Sequence, residues 1–132
     1  MGGDAPTIRV VSAEISRDGR YLITQRGAAA VLPLLWEFPG GRVQAGESDH
    51  QALKRAVRFR IGVDVLPVEQ VLEVRHDYDD YSIVLAVYRC QVVGEPFAQS
   101  VNALAWVAPD EFADYPFPGA DQRTVDQLLE DS

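Results

Sequence analysis

The stretch from Trp36 to Val63, WEFPGGRVQAGESDHQALKRAVRFRIGV, constrains the fold of this chain more than any other. It reads as loop, helix, loop. Phe38-Pro39-Gly40-Gly41 must turn sharply, since paired glycines leave the backbone bare for close approach by another group. Gly46-Glu47-Ser48 then opens a helix. Ser48 is suited to cap it, Glu47 and Asp49 place negative charge at the positive end of the helix dipole, and Gly62 supplies the stop. The spacing predicts a helix over 49–61. Leu53, Val57 and Ile61 recur at i, i+4 and i+8 as one buried stripe, while Ala56, Phe59 and Arg60 share a different face.

Within this stretch Gly41, Glu47, Arg55, Val57, Gly62 and Val63 stand at the spacing G-x5-E-x7-R-E-U-x-E-E-x-G-U, where U is a bulky aliphatic residue. Residues 41–63 thereby resemble the Nudix box, with six elements in register over 23 residues. Three elements differ. Where the pattern has Arg-Glu-U-x-Glu-Glu, this chain has Arg55-Ala56-Val57-Arg58-Phe59-Arg60, so every helix glutamate is replaced. Glutamates at i, i+3 and i+4 project from one helix face and converge on a hard cation. In the family, Mg²⁺ or Mn²⁺ held there neutralises a diphosphate and helps activate the attacking water. Ala56 and Phe59 have no oxygen to offer, and Arg60 brings a fixed positive charge to the place of a dication. The MutT-like branch often carries one more metal-binding glutamate just before a tryptophan; here that position is Ala105, before Trp106. No metal is therefore expected at the box helix. One general base is commonly worth roughly 10² to 10⁴ in rate, so the loss of three acids implies that the usual hydrolysis is lost or severely impaired. Glu47 is the box acid that survives and the one catalytic candidate, although in the family it largely pairs with the box arginine, here Arg55. Gly40, Gly41, Glu47, Arg55 and Gly62 are expected to maintain the box as structure.

The resemblance to MutT-like nucleoside triphosphate pyrophosphohydrolases runs from Ile8 to Leu129 and implies further roles. Arg26, at a strand end before the loop into Trp36, falls where such enzymes meet substrate phosphates; a surface ion pair is the alternative. Arg55 and Arg60 are the other phosphate-binding candidates, with Arg60 otherwise pairing with a carboxylate or lying in solvent. Tyr78 and Phe117 are candidates to flank a base. Asp121 stands where an Asp or Asn reads the base edge, since a carboxylate accepts from an exocyclic amine; the competing reading makes it the N-cap of a last helix. His76, Asp77, Asp79 and Asp80 have metal-binding side chains, but a solvated hairpin turn accounts for them better. Cys90 sits in an apolar run and reads as a buried structural thiol.

The remaining chain fits one α/β domain over 1–132, a mixed curved sheet sandwiched between the box helix and a C-terminal helix. Residues 1–6 read as a loose terminus, 8–15 and 21–25 as a hairpin, and 27–35 as a flexible loop. Residues 65–75, bulged near Pro67, pair with 81–92; 103–107 form a short strand and 109–113 a helical turn. The last helix is expected over 121–130, burying Val125, Leu128 and Leu129. No run approaches the length of a membrane span, so a cytoplasmic location is the default. The net charge of −8 argues against a nucleic-acid polymer, yet 37–63 holds five basic residues against three acidic, a basic spot suited to a small anion. Three readings stay open: a domain that binds a nucleoside di- or triphosphate without hydrolysing it by the metal route, an active pyrophosphohydrolase whose Mg²⁺ or Mn²⁺ ligands come from elsewhere, and a protein-interaction module on the same scaffold. Assembly as a homodimer is open too.

Overall fold

A computed structural model describes residues 6–27 and 34–131. The terminus and most of the 27–35 loop, namely 1–5 and 28–33, lie outside the described residues. The first strand, β1 (Thr7–Arg17), turns through Asp18-Gly19 into β2 (Arg20–Gln25). Two short strands follow, β3 (Trp36–Glu37) and β4 (Gly40–Arg42), and then the box helix α1 (Asp49–Ile61). A long hairpin, β5 (Asp64–Asp77) and β6 (Ser82–Val93), leads to β7 (Ala103–Val107), a 3₁₀ turn (Pro109–Asp114) and α2 (Gly119–Asp131).

The sheet runs β3-β2-β1-β6-β5, with β4 added to β1 and β7 to β2. β1 and β6 are parallel over Thr7↔Ser82 to Ile15↔Cys90, and the other pairs are antiparallel, giving the expected mixed sheet. β1 and β2 pair only at the hairpin turn, after which β2 leaves with β3 and β7. The sheet thus splays at that point. Register shifts at Pro67/Glu69 and Gln70/Leu72 show the bulging expected of a strand that contains proline.

Val11, Ala13 and Ile15 on one face of β1 pack against Leu53, Val57 and Ile61 of α1. A second apolar layer joins Ile23, Phe38, Val107 and Phe112 to Val125 and Leu128 of α2. Helix α2 begins two residues earlier than expected, and Leu129 is exposed rather than buried, because Val125 and Leu128 already fill its inner stripe. The expected loop at 38–41 is partly strand, since Gly40 and Gly41 extend the ladder beside β1. Across the sheet, Arg9 makes two hydrogen bonds to Asp49 (2.8 and 2.7 Å) and the Tyr88 hydroxyl donates to the same carboxylate at 2.5 Å. These contacts pin the N-terminus of α1 to β1 and β6.

Candidate functional site

The local structure of the box explains why its glycines and its ion pair stay. A Cβ at Gly40 would lie 2.0 Å from the Val11 carbonyl oxygen and 2.7 Å from the Ser12 Cα, both backbone atoms that cannot yield. A Cβ at Gly41 would meet that of Ala56 at 2.9 Å, so this contact sets the approach of α1 to β4. Glu47 receives two hydrogen bonds from Arg55, at 2.7 and 2.9 Å, and one from the Gln44 amide at 2.9 Å. The guanidinium, foremost, and that amide bring the Glu47 carboxyl down to about 2. Arg55 also donates to the Arg42 carbonyl at 2.8 Å. It does not line the cavity described next, so its placement favours holding the loop over meeting phosphate.

A cavity of about 760 Å³ opens between β1, β6, the 37–42 segment and the start of α2. Its apolar floor comes from Ile8 and Val10 of β1 with Ile83 and Leu85 of β6. Around it the described residues place Arg26, Arg42 and Arg60 against two acids, Glu37 and Asp121. Tyr78 and Tyr81 stand at one end, their rings stacked 4.8 Å apart at 23°.

Arg60 reaches from the last turn of α1 across to β4, where its Nε donates to the Gly40 carbonyl at 2.5 Å. Its terminal nitrogen lies 3.9 Å from Glu37. Glu37, with a side chain 14% exposed, also takes Arg26 at 3.0 and 3.1 Å. The ion pair weighed as an alternative for Arg26 therefore exists, and it lies on the cavity wall rather than out on the surface.

Asp121 lies in the first turn of α2 and faces the cavity, so the reading of it as the helix N-cap is not what the chain adopts. It accepts the backbone N–H of Phe38, yet burial first, and then the charge of Glu37, push its carboxyl up to about 7. Phe117 does not line the cavity. It stacks on Phe38 at 5.7 Å and 18° and meets Phe112 edge-on, so it supports the wall from behind instead of offering a face to a ligand. Glu37, Phe38, Ser12 and Tyr81 line the site without having been singled out in the sequence. The alternation of β1 was a usable signal for Ser12.

The positions where the resemblance calls for metal ligands do not fit a divalent cation. Ala56 is buried, Phe59 is 63% exposed, and the Gly40 carbonyl beside them already accepts the Arg60 Nε. Among the described residues no three His, Cys, Asp or Glu side chains gather as a cation site. Cys90 is buried, and its thiol is pushed up to about 12, mainly by desolvation.

The sequence profile of the NUDIX domain matches residues 10–127. The chain belongs to the Nudix family. Among its relatives, this Nudix chain is similar to the CTP pyrophosphohydrolase of Escherichia coli, with 36% identity over 92% of this chain and 91% of that one. It is also similar to the 8-oxo-dGTP diphosphatase of Haemophilus influenzae, with 30% identity over 98% and 96%. Of solved structures, the MutT Nudix hydrolase from Burkholderia pseudomallei superposes with a TM-score of 0.83 at 26% identity, covering 92% of this chain and 98% of that one. No helix among the described residues is long and apolar enough to cross a membrane.

Proposed function

We propose that this Nudix domain binds a nucleoside di- or triphosphate in the cavity over β1 and β6 and does not hydrolyse it by the family's metal route. The observation that carries this reading is the Arg60 guanidinium bonded to the Gly40 carbonyl, a fixed cation on the helix face where the family places its metal ligands. A guanidinium there supplies positive charge and directional N–H donors to a polyphosphate, but it has no bound water to activate. Arg26 and Arg42 add charge along the same wall, and Asp121 offers the base an acceptor. The nucleoside triphosphates named for the relatives support the ligand class.

Calorimetric titration with CTP, ATP, GTP and UTP in EDTA and then in Mg²⁺ tests this. Binding is expected in EDTA, with no product formed in either condition. Arg60→Ala should weaken every nucleotide about tenfold or more, given the roughly 1.5 to 3 kcal/mol typical of charged hydrogen bonds. Mg²⁺-dependent turnover by the wild type would establish the active-hydrolase reading instead, and no binding at all the interaction-module reading.

A further inference from the structure

The floor of the cavity carries one polar interruption. Ser12 alternates with Ile8 and Val10 on the face of β1 that lines the cavity, and it is 2% exposed. Its Oγ is buried and has no hydrogen-bond partner among the described residues. Leaving a buried hydroxyl unpaired is costly, and an alanine would have continued the apolar floor without that cost. Its placement is informative as well. Ser12 is paired with Gly40 across the β1–β4 ladder, while Phe38, two residues earlier, donates its amide to Asp121. The 38–40 segment therefore ties both Ser12 and Asp121, two residues that line the cavity, to one short stretch of its wall.

We infer that Ser12 is a base-reading residue that acts with Asp121 to select the Watson–Crick edge shared by cytosine and adenine, on which a 4- or 6-amino group stands beside an unprotonated ring nitrogen. The chemistry follows from donor and acceptor inventories. An ionised Asp121 only accepts, so it takes the N–H of the amine; the neighbouring ring nitrogen only accepts, and the Ser12 hydroxyl is the donor that meets it. Uracil and guanine present a carbonyl oxygen where the amine would stand. That oxygen faces the carboxylate, the edge does not seat, and the Ser12 bond is not made. Glu37 and Arg26 are the charged neighbours of Asp121, with the Phe38 amide beside them, and they are common to every base.

This inference rests on the nucleotide-binding reading, and the test separates the two. Affinities of CTP, ATP, UTP, GTP and inorganic tripolyphosphate are measured in EDTA at pH 8, for the wild type and for Ser12→Ala. The wild type should favour CTP and ATP. Ser12→Ala should lose about three- to tenfold for those two, the worth of one hydrogen bond, and leave UTP, GTP and tripolyphosphate unchanged. Equal loss for all five, or loss for none, overturns the role of Ser12 while the nucleotide site stands. A wild type that binds tripolyphosphate but no nucleotide, or nothing at all, removes both. If the alanine variant does not fold, Ser12→Cys, similar in volume and a weak donor, is held to the same outcomes.

Discussion

Asp121 accepts the Phe38 amide and lies close to Glu37, so two opposite influences act on one carboxyl, and burial with like charge prevails. The folded protein holds this proton with a pKa of about 7 against an ordinary value of 3.8. A raised carboxyl pKa means that its contribution to stability is fully present below the unfolded value and is lost as pH rises through about 7. Asp121→Asn keeps an acceptor for Phe38 and removes the titration. Its melting temperature should match the wild type near pH 4 and exceed it by several degrees at pH 8. One pK unit is about 1.4 kcal/mol, and with the carboxyl partly open to the cavity a gain on the order of 2 kcal/mol is expected. A difference between the two proteins that does not vary with pH would show that Asp121 is not held neutral. Little of this was legible in the sequence. Asp121 follows Gly119-Ala120 and suits a cap, but its burial depends on Phe38 and Glu37, more than eighty residues away, and no local pattern reports that contact.

Helix α1 is fixed at both ends by groups that the sequence displays unequally. At its start Ser48 and Gln51 exchange hydrogen bonds of 3.1 and 2.9 Å, and at its end Gly62 adopts φ 72° and donates to the Arg58 carbonyl. These are local signals, which is why the sequence predicts the helix with its observed bounds. Its last carbonyls are satisfied differently: Phe97, Gln99 and Ser100 donate to the carbonyls of residues 58–61, and Phe97 lies over Gly62 where a Cβ would come within 2.3 Å of its ring. That clamp arises from a loop some forty residues away and leaves no periodicity to read. The same holds for β3 and β4, two- and three-residue strands that exist because β2 and β1 offer them edges. The loop before α1 depends on Glu47, whose pKa is brought down to about 2 in the folded state from an ordinary value of 4.5. Its contribution is present above pH 4.5 and is lost as pH falls through about 2. Glu47→Gln should therefore melt a few degrees below the wild type at pH 7, with the gap closing as the pH approaches 2. An equal gap at both pH values would mean that the mutation acts through packing rather than through the Arg55 pair.

At the scale of the molecule, a chain of net charge −8 gathers three arginines against two acids around its one large apolar-floored cavity among the described residues. Elsewhere arginines meet carboxylates in ion pairs, Arg58 with Asp64 and Arg75 with Asp77 singly, and Arg9 and Arg89 with two acids each. The fold is that of the family, and under the proposed reading Arg60 supplies the charge that α1 turns toward the cavity. Restoring glutamate at Ala56, Phe59, Arg60 and Ala105 together reverses this. Ala56 is 3% exposed and faces Gly41, so a carboxylate there, close to others of like charge, costs stability unless a cation compensates it. The fourfold variant should melt below the wild type in EDTA and recover on addition of Mg²⁺ or Mn²⁺, since a ligand that binds only the folded state stabilises it in proportion to the logarithm of its concentration. The wild type, titrated without nucleotide, should show the same melting temperature with and without either metal. Equal Mn²⁺ stabilisation of both proteins would locate the cation away from α1 and undo the claim that Arg60 stands in for it.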